Sequence, residues 1–227
     1  METIPQDFLK GRVQPFRVFP VNQDRSKGPV GNSVHLYDLE GETRRLQLPG
    51  DWRQAGPPVP NLYMFEGPSI IGELLRGAPD GKPYKLAAMY IEYQNGATNP
   101  VSPPENTDRS AGISYYESLL NHATRNYLRV PMTAVILDST DMQVYPHGNR
   151  VTCFAQTDVS APIYSDPNRV FSDAHSSRVI GGALVSTPNF ADSTQDRVFA
   201  RFYFPESEQL LKLIGSQVGL KWPIQFA

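Results

Sequence analysis

The chain has a single cysteine, Cys153, among its 227 residues. A lone thiol forms no disulfide within the chain, so the fold does not depend on an oxidising compartment. Charge is sparse as well. Only 19% of residues are Asp, Glu, Lys or Arg, and the formal net charge is -2. That balance gives no bulk attraction to nucleic acid or to an anionic membrane surface. No window approaches the roughly 18 consecutive apolar residues that a membrane-spanning helix needs. The opening METIPQDFLKGR lacks an apolar run of signal-peptide length, so the expectation is a soluble protein made in a cytoplasm.

Chemical motifs are missing too. None of the four histidines, His35, His122, His147 and His175, stands in an H-E-x-x-H or H-x-x-x-H arrangement. His147 and Cys153 lack a second cysteine to complete a zinc site. Gly215-Ser216-Gln217-Val218-Gly219 departs from a nucleophile elbow because Ile214 stands two residues before the serine, where glycine is required. Cys153 alternates with Val151 and Ala155 on an apolar face and reads as a buried structural thiol. There is no glycine-rich phosphate loop, and no basic stripe interleaves with aromatics. The expectation is a protein that is not an enzyme, with no catalytic, cofactor-binding or metal-binding residue and no cofactor.

What the chain does have is 21 prolines and 17 glycines, which suit many short strands joined by ordered loops. The stretch KPYKLAAMYIEYQNG organises the rest. As a strand it carries Leu86, Ala88 and Tyr90 on one face and Ala87, Met89, Ile91 and Tyr93 on the other, before the turn pair Asn95-Gly96. A strand apolar on both faces belongs inside a fold.

The remaining elements follow in chain order. Residues 1–15 are expected to be an arm that orders against a partner, and residues 16–227 a single β-rich domain. FRVFPV (Phe16 to Val21) reads as an edge strand, Val34 to Leu48 as a hairpin, and Pro49 to Pro60 as a stiff loop. NLYMF (Asn61 to Phe65) is a short strand. A helix follows with Pro68 in its first turn, a stripe of Ile70, Ile71, Leu74 and Leu75, and a stop at Gly77 and Pro79. Residues 97–112 form a polar, proline-rich loop. Ser114 and Glu117 have capping-box spacing, predicting a helix over Tyr115 to Asn121. Later strands are predicted over Tyr127 to Leu137, kinked at Pro131, over Asn149 to Thr157, and over Val179 to Val185, where Gly181-Gly182 signals a bulge or close backbone approach. Asp196 to Phe204 places Val198, Ala200, Phe202 and Phe204 on one side. Gln217 to Phe226 alternates Val218, Leu220, Trp222, Ile224 and Phe226 against polar residues, and Pro223 marks it as an edge strand. Together these predict a mainly β fold, an antiparallel β-sandwich or jelly-roll-like domain with two short helices and long Pro-rich loops.

Some residues invite a chemical reading beside a structural one. Glu92, the charged residue of the central strand, could serve as a catalytic carboxylate, but glycoside cleavage needs a second carboxyl at defined separation. Pairing with Arg125 or Arg129 is the better reading, since a buried charge requires a partner. Ser176-Ser177-Arg178 reads as a solvated loop. Tyr115, Tyr116, Tyr127 and Trp52 could stack on sugars, although packing is the commoner role of such rings.

Three stretches, AAMYIEYQNG (Ala87 to Gly96), DRSAGISYYESL with NYLRVPM (Asp108 to Met132), and FARFYFPESEQLLKLIGSQVGLKW (Phe199 to Trp222), resemble tailed-bacteriophage virion proteins. The resemblance implies a small β-rich structural component in the virion, synthesised in the host cytoplasm and assembling with itself as a homo-oligomer and with other virion proteins. It implies no catalytic residue. Tail, baseplate or fibre-attachment positions are expected, with capsid decoration or a neck position as alternatives. The alternative of another class is a carbohydrate-binding or carbohydrate-cleaving β-sandwich. The arm and the loops at 49–60 and 97–112 are expected to order against neighbouring subunits.

Overall fold

The structure, a computed structural model, describes residues 9–19, 33–37, 43–47, 51–77, 84–95, 97, 99–104, 108–141, 143–157, 176–213 and 217–226. In chain order the elements are β1 (Leu9–Phe19), β2 (Ser33–Tyr37), β3 (Thr43–Gln47), β4 (Asp51–Gln54), β5 (Val59–Pro60), β6 (Leu62–Tyr63), α1 (Glu66–Arg76), β7 (Lys85–Asn95) and α2 (Gly112–Leu119). They continue with β8 (Arg125–Asp138), β9 (Arg150–Gln156), β10 (Ser176–Thr187), β11 (Arg197–Tyr203), β12 (Leu210–Leu213) and β13 (Gln217–Phe226). The fold is therefore mainly β with two helices, as the composition predicts, and every strand pairing is antiparallel.

β7 sits between β8 and β10, buried on both faces. Met89, Ile91 and Tyr93 enter one apolar cluster, and Ala88 and Tyr90 enter another. Leu86 departs from the expected pattern. The ladder steps from Ala88 opposite Val185 to Leu86 opposite Ser186, and this irregularity turns Leu86 toward the first cluster.

The principal sheet runs β4-β1-β13-β9-β8-β7-β10-β11-β6, with β5 on β1 and β12 on β10, while β2 and β3 pair separately as the expected hairpin. The sequence predicts a sandwich or jelly roll. The pairing instead gives one sheet that nearly closes on itself. Closure comes from residues 59–63: β5 adds to β1 at one end of the sheet and β6 adds to β11 at the other, with only Asn61 between them. The enclosed face carries Val13, Val59, Met89, Val130, Cys153 and Trp222, contributed by strands from all round the sheet. Trp222 meets the edge of Phe202 at 5.2 Å, and Phe202 meets Phe204 at 5.0 Å. Each such side chain contributes about 1.5–3 kcal/mol by leaving water.

Several expectations are corrected by the pairing. Residues 9–15 are not arm. They form the first part of β1, paired with β13, and Val13 is fully buried. Residues 1–8 lie outside the described residues. The 49–60 stretch contains β4 and β5, both on the same strand, β1, since runs of two to four residues are too short to show a period. β13 is not an edge, because it pairs with β1 and β9. Pro223 is tolerated because the β1 ladder lapses opposite it, where Arg12 and Val13 pair with β5. On β11, Phe199 is an extra residue opposite the Leu184/Val185 step, so Val198 joins the outer cluster while Ala200, Phe202 and Phe204 face inward. Ser177 and Arg178 are buried within β10 rather than solvated in a loop.

The two helices pack on different clusters: α1 places Ile70 in the cluster that holds Met89 and Trp222, and α2 places Tyr116 and Leu119 in the one that holds Ala88 and Tyr90. α1 has Pro68 in its first turn and ends at Gly77 with φ +78°. Its stripe is only half used: Ile70 is buried, but Leu74 is exposed and Leu75 is 84% exposed. α2 begins at Gly112, three residues earlier than the spacing predicts. Ser114 is already inside its first turn and donates to Ala111 O at 2.5 Å, so no capping box forms. Within the 97–112 loop, Val101 and Arg109 are tied to other parts of the same chain. Val101 N donates to Gln209 Oε1 at 3.0 Å, Gln209 Nε2 donates to Val101 O at 2.6 Å, and Arg109 Nε donates to Tyr63 O at 2.7 Å.

Candidate functional site

Alternation along β7 puts Glu92 on the outer face with Ala88 and Tyr90, beneath α2. Cross-strand register places Tyr127, Glu92, Gly181 and Tyr203 in one row across β8, β7, β10 and β11. Glycine at 181 is a steric necessity. A Cβ there would overlap Phe202 O and come within 2.5 Å of Tyr203 Cδ1, so the Tyr203 ring lies where a side chain would stand. The expected close backbone approach at Gly181-Gly182 is thus present, and a Cβ on Gly182 would overlap Tyr90 O.

Glu92 is 0% exposed. Tyr115 OH, from α2, donates to Glu92 Oε1 at 2.8 Å. Arg125 Nε stands 3.9 Å from the same oxygen, an ion pair without a hydrogen bond. Glu92 Oε2, Tyr116 OH, Tyr203 OH and Arg125 Nε are all buried without a hydrogen-bond partner. Such atoms in one small volume carry a desolvation cost. Burial pushes the Glu92 carboxyl up to about 7, and the Tyr115 hydrogen bond and the Arg125 charge only partly oppose it. Tyr203 and Arg201 add weaker support for the ionised form, Tyr203 without a well-directed hydrogen bond. Arg201 lies over the rings of Tyr115 and Tyr203 at 5.3 and 5.8 Å and donates to Asp108 O at 2.6 Å. Burial raises Tyr116 and Tyr203 well above the ordinary phenol range, with the Glu92 charge adding to it, so both stay neutral.

A second buried carboxylate adjoins this cluster. Asp196 receives Arg129 in a bidentate pair, Nε to Oδ2 at 2.6 Å and Nη2 to Oδ1 at 2.8 Å, and Tyr90 OH donates to Oδ2 at 2.6 Å. Arg129 also donates to Phe190 O and lies 4.2 Å over the Phe190 ring. Tyr90 joins the two groups, since its ring meets Tyr116 at 4.9 Å and Tyr127 at 4.6 Å.

Of the sequence-predicted pairings, Glu92 with Arg125 is formed, whereas Arg129 is taken by Asp196. Tyr115, Tyr116 and Tyr127 pack on one another, which is the packing reading. The side chains of Trp52 and His35, and residues His175 and Ser216, lie outside the described ones. His122 Nδ1 accepts from Thr124 N and Arg125 N at 3.3 and 3.0 Å, and His147 is exposed on a loop. Cys153 is buried, and desolvation pushes its thiol up to about 12. Among the described residues no group of three or more His, Cys, Asp or Glu is placed to hold a metal ion, and no helix is long and apolar enough to cross a membrane. Asp196 and Tyr203 escape sequence reasoning, because each sits at a strand end with no motif around it. With no solvent-exposed atom on Glu92, the chemistry open to the cluster is the gain and loss of a proton. No protein-family model, curated protein or solved structure matches this chain.

Proposed function

We propose that this chain is a non-enzymatic structural component of a tailed-phage particle, assembling with further copies of itself and with neighbouring virion proteins in the tail, baseplate or fibre-attachment region. The resemblance of the three stretches quoted above supports the phage assignment. The observation that carries self-assembly is the turn between β8 and β9. Val135 and Leu137 on β8 and Val144 and Tyr145 in the turn are all exposed, apolar groups that the chain places at one end of the β8–β9 pair and that a contact with another copy would cover. The turn is also preorganised. Arg150 holds Asp138 through two hydrogen bonds of 2.7 Å, and Asn149 Oδ1 accepts from Thr140 N and Oγ1 at 2.9 and 3.0 Å. Gly148, at φ +89°, lies where a Cβ would come within 2.9 Å of Leu137 Cγ. A rigid apolar surface loses little entropy on docking.

The test is the molar mass of the full chain at micromolar concentration, by analytical ultracentrifugation, beside Leu137→Asp. A concentration-dependent oligomer that the variant dissociates supports the reading. A monomer throughout, or an oligomer that Leu137→Asp leaves intact, overturns assembly through this surface. A monomer that binds an immobilised glycan favours the carbohydrate-binding alternative. The virion location is checked by mass spectrometry of intact particles, where absence of the chain refutes it.

A further inference from the structure

We infer, building on the self-assembly proposed above, that a second copy of this chain adds its own β8 edge, antiparallel, to the free edge of β8 at residues 134–138, so that the two copies share one sheet. β7 ladders with β8 only as far as Ala88 opposite Pro131. Pro131 brings no N–H to a ladder, and the register of β8 on β9 shifts between Met132 and Ala134, which bends the strand. Counting on in register, Lys85, the first residue of β7, reaches no further than Ala134. From Ala134 to Asp138, β8 therefore pairs with β9 alone among the described residues. The β2–β3 hairpin comes near β8 but makes no ladder with it.

The side chains on this stretch lack a neighbour on that edge. In one row across the sheet, Trp222, Cys153 and Val135 share the enclosed face, from β13 through β9 to β8. The first two are fully buried, whereas Val135 is 47% exposed. In the next row Ile224 is buried, Val151 is half-buried and Leu137 is 56% exposed. Burial thus fades toward the side of β8 on which no strand stands. A strand is the cover that fits. It brings N–H and C=O groups to the unpaired edge and side chains to Val135 and Leu137 at the same time.

The occupant is a second copy because this edge complements itself. Ala134, Val135, Ile136 and Leu137 bring neither charge nor proline, the devices with which a monomer blunts an edge strand. Asp138 ends the stretch, and Arg150 of the same copy holds it through two hydrogen bonds. Overlapping two such stretches about their midpoint, Ile136, sets Val135 beside Leu137 of the second copy and Leu137 beside its Val135, while Asp138 meets Ala134. The side chains left exposed on one copy thereby cover those of the other, and no like charges are opposed. The contact is the same on both copies, so it closes as a two-fold pair.

The experiment reads amide exchange along β8 residue by residue, by NMR on the full chain, at concentrations on both sides of the association followed by analytical ultracentrifugation. Amides in 134–138 alternate between the β9 side and the free side. Those on the β9 side stay protected throughout. Those on the free side are expected to exchange freely in the monomer and to slow by at least about tenfold on association. Val135→Lys puts an inward-pointing charge on the edge. It is expected to weaken association by at least about tenfold while the circular dichroism of the monomer stays that of wild type. An oligomer whose free-side amides exchange as fast as in the monomer, or one that a folded Val135→Lys leaves intact, overturns strand addition and leaves assembly to another contact. Free-side amides already protected in the monomer mean that the same chain covers the edge, and overturn strand addition equally. A monomer at every concentration refutes self-assembly itself, and strand addition with it. The wild-type exchange decides even where the variant does not fold.

Discussion

Replacing Trp222 by alanine tests the enclosed core at its largest side chain. Trp222 is 0% exposed, stands opposite Cys153 on β9, and meets the edge of Phe202 at 5.2 Å and 88°. Leu220 and Ile224 flank it on the same face, both buried. The site is paired to β9 and lies within the enclosed cluster among fully buried neighbours, so little collapse into the cavity is available. Truncation of a buried tryptophan then costs about 3–5 kcal/mol. One feature tempers this figure: Trp222 Nε1 is buried without a hydrogen-bond partner, so part of the ring's burial is already unfavourable. Trp222→Phe removes that N–H while keeping most of the volume, and should cost under about 1.5 kcal/mol. For a chain of this size each kcal/mol moves Tm by about 2–4 °C. The alanine variant is expected to melt roughly 6–20 °C below wild type and the phenylalanine variant within about 6 °C, read by circular dichroism with urea midpoints as a check. An alanine variant that melts with the wild type, or a phenylalanine variant as damaged as the alanine one, would falsify the packing argument.

Gly181→Ala forces a Cβ against Phe202 O and the Tyr203 ring, and should cost about 1–3 kcal/mol as overpacking; an unchanged urea midpoint contradicts the assigned approach. Arg129→Ala leaves Asp196 buried with Tyr90 as its remaining side-chain donor in the described network, a loss of roughly 3 kcal/mol after allowing for the partial exposure of Arg129. Its refutation is a melt unchanged at neutral pH. Cys153, with its thiol raised to about 12 by burial, stays protonated at pH 8 and should resist alkylation until denaturant is added; labelling of the folded chain at the rate of a free thiol rejects the burial.

Much of this architecture is legible in the residues themselves. The alternation of Val218, Leu220, Trp222 and Ile224 defines β13 and its buried face, because a period of two reports directly which side meets the core. The two-faced apolar run at Met89, Tyr90 and Ile91 marks an interior strand for the same reason. Pro68 and Gly77 bracket α1 through backbone constraints that need no neighbour. What a strand neighbours is a different quantity. Pro223 argues for an edge, yet β13 is internal, since one lapse in the β1 ladder accommodates the missing N–H. Residues 59–63 carry no readable period, yet they close the sheet, because their role depends on where β1 and β11 end in space. The same limit governs the buried carboxyl. Glu92 stands opposite Tyr127, so Arg125 and Arg129 lie two residues to either side on the same face of β8, equivalent as partners in the sequence. Only the tertiary structure separates them: Asp196, delivered at the start of β11, holds Arg129 in two hydrogen bonds and leaves Glu92 to Arg125 and to the helix above it.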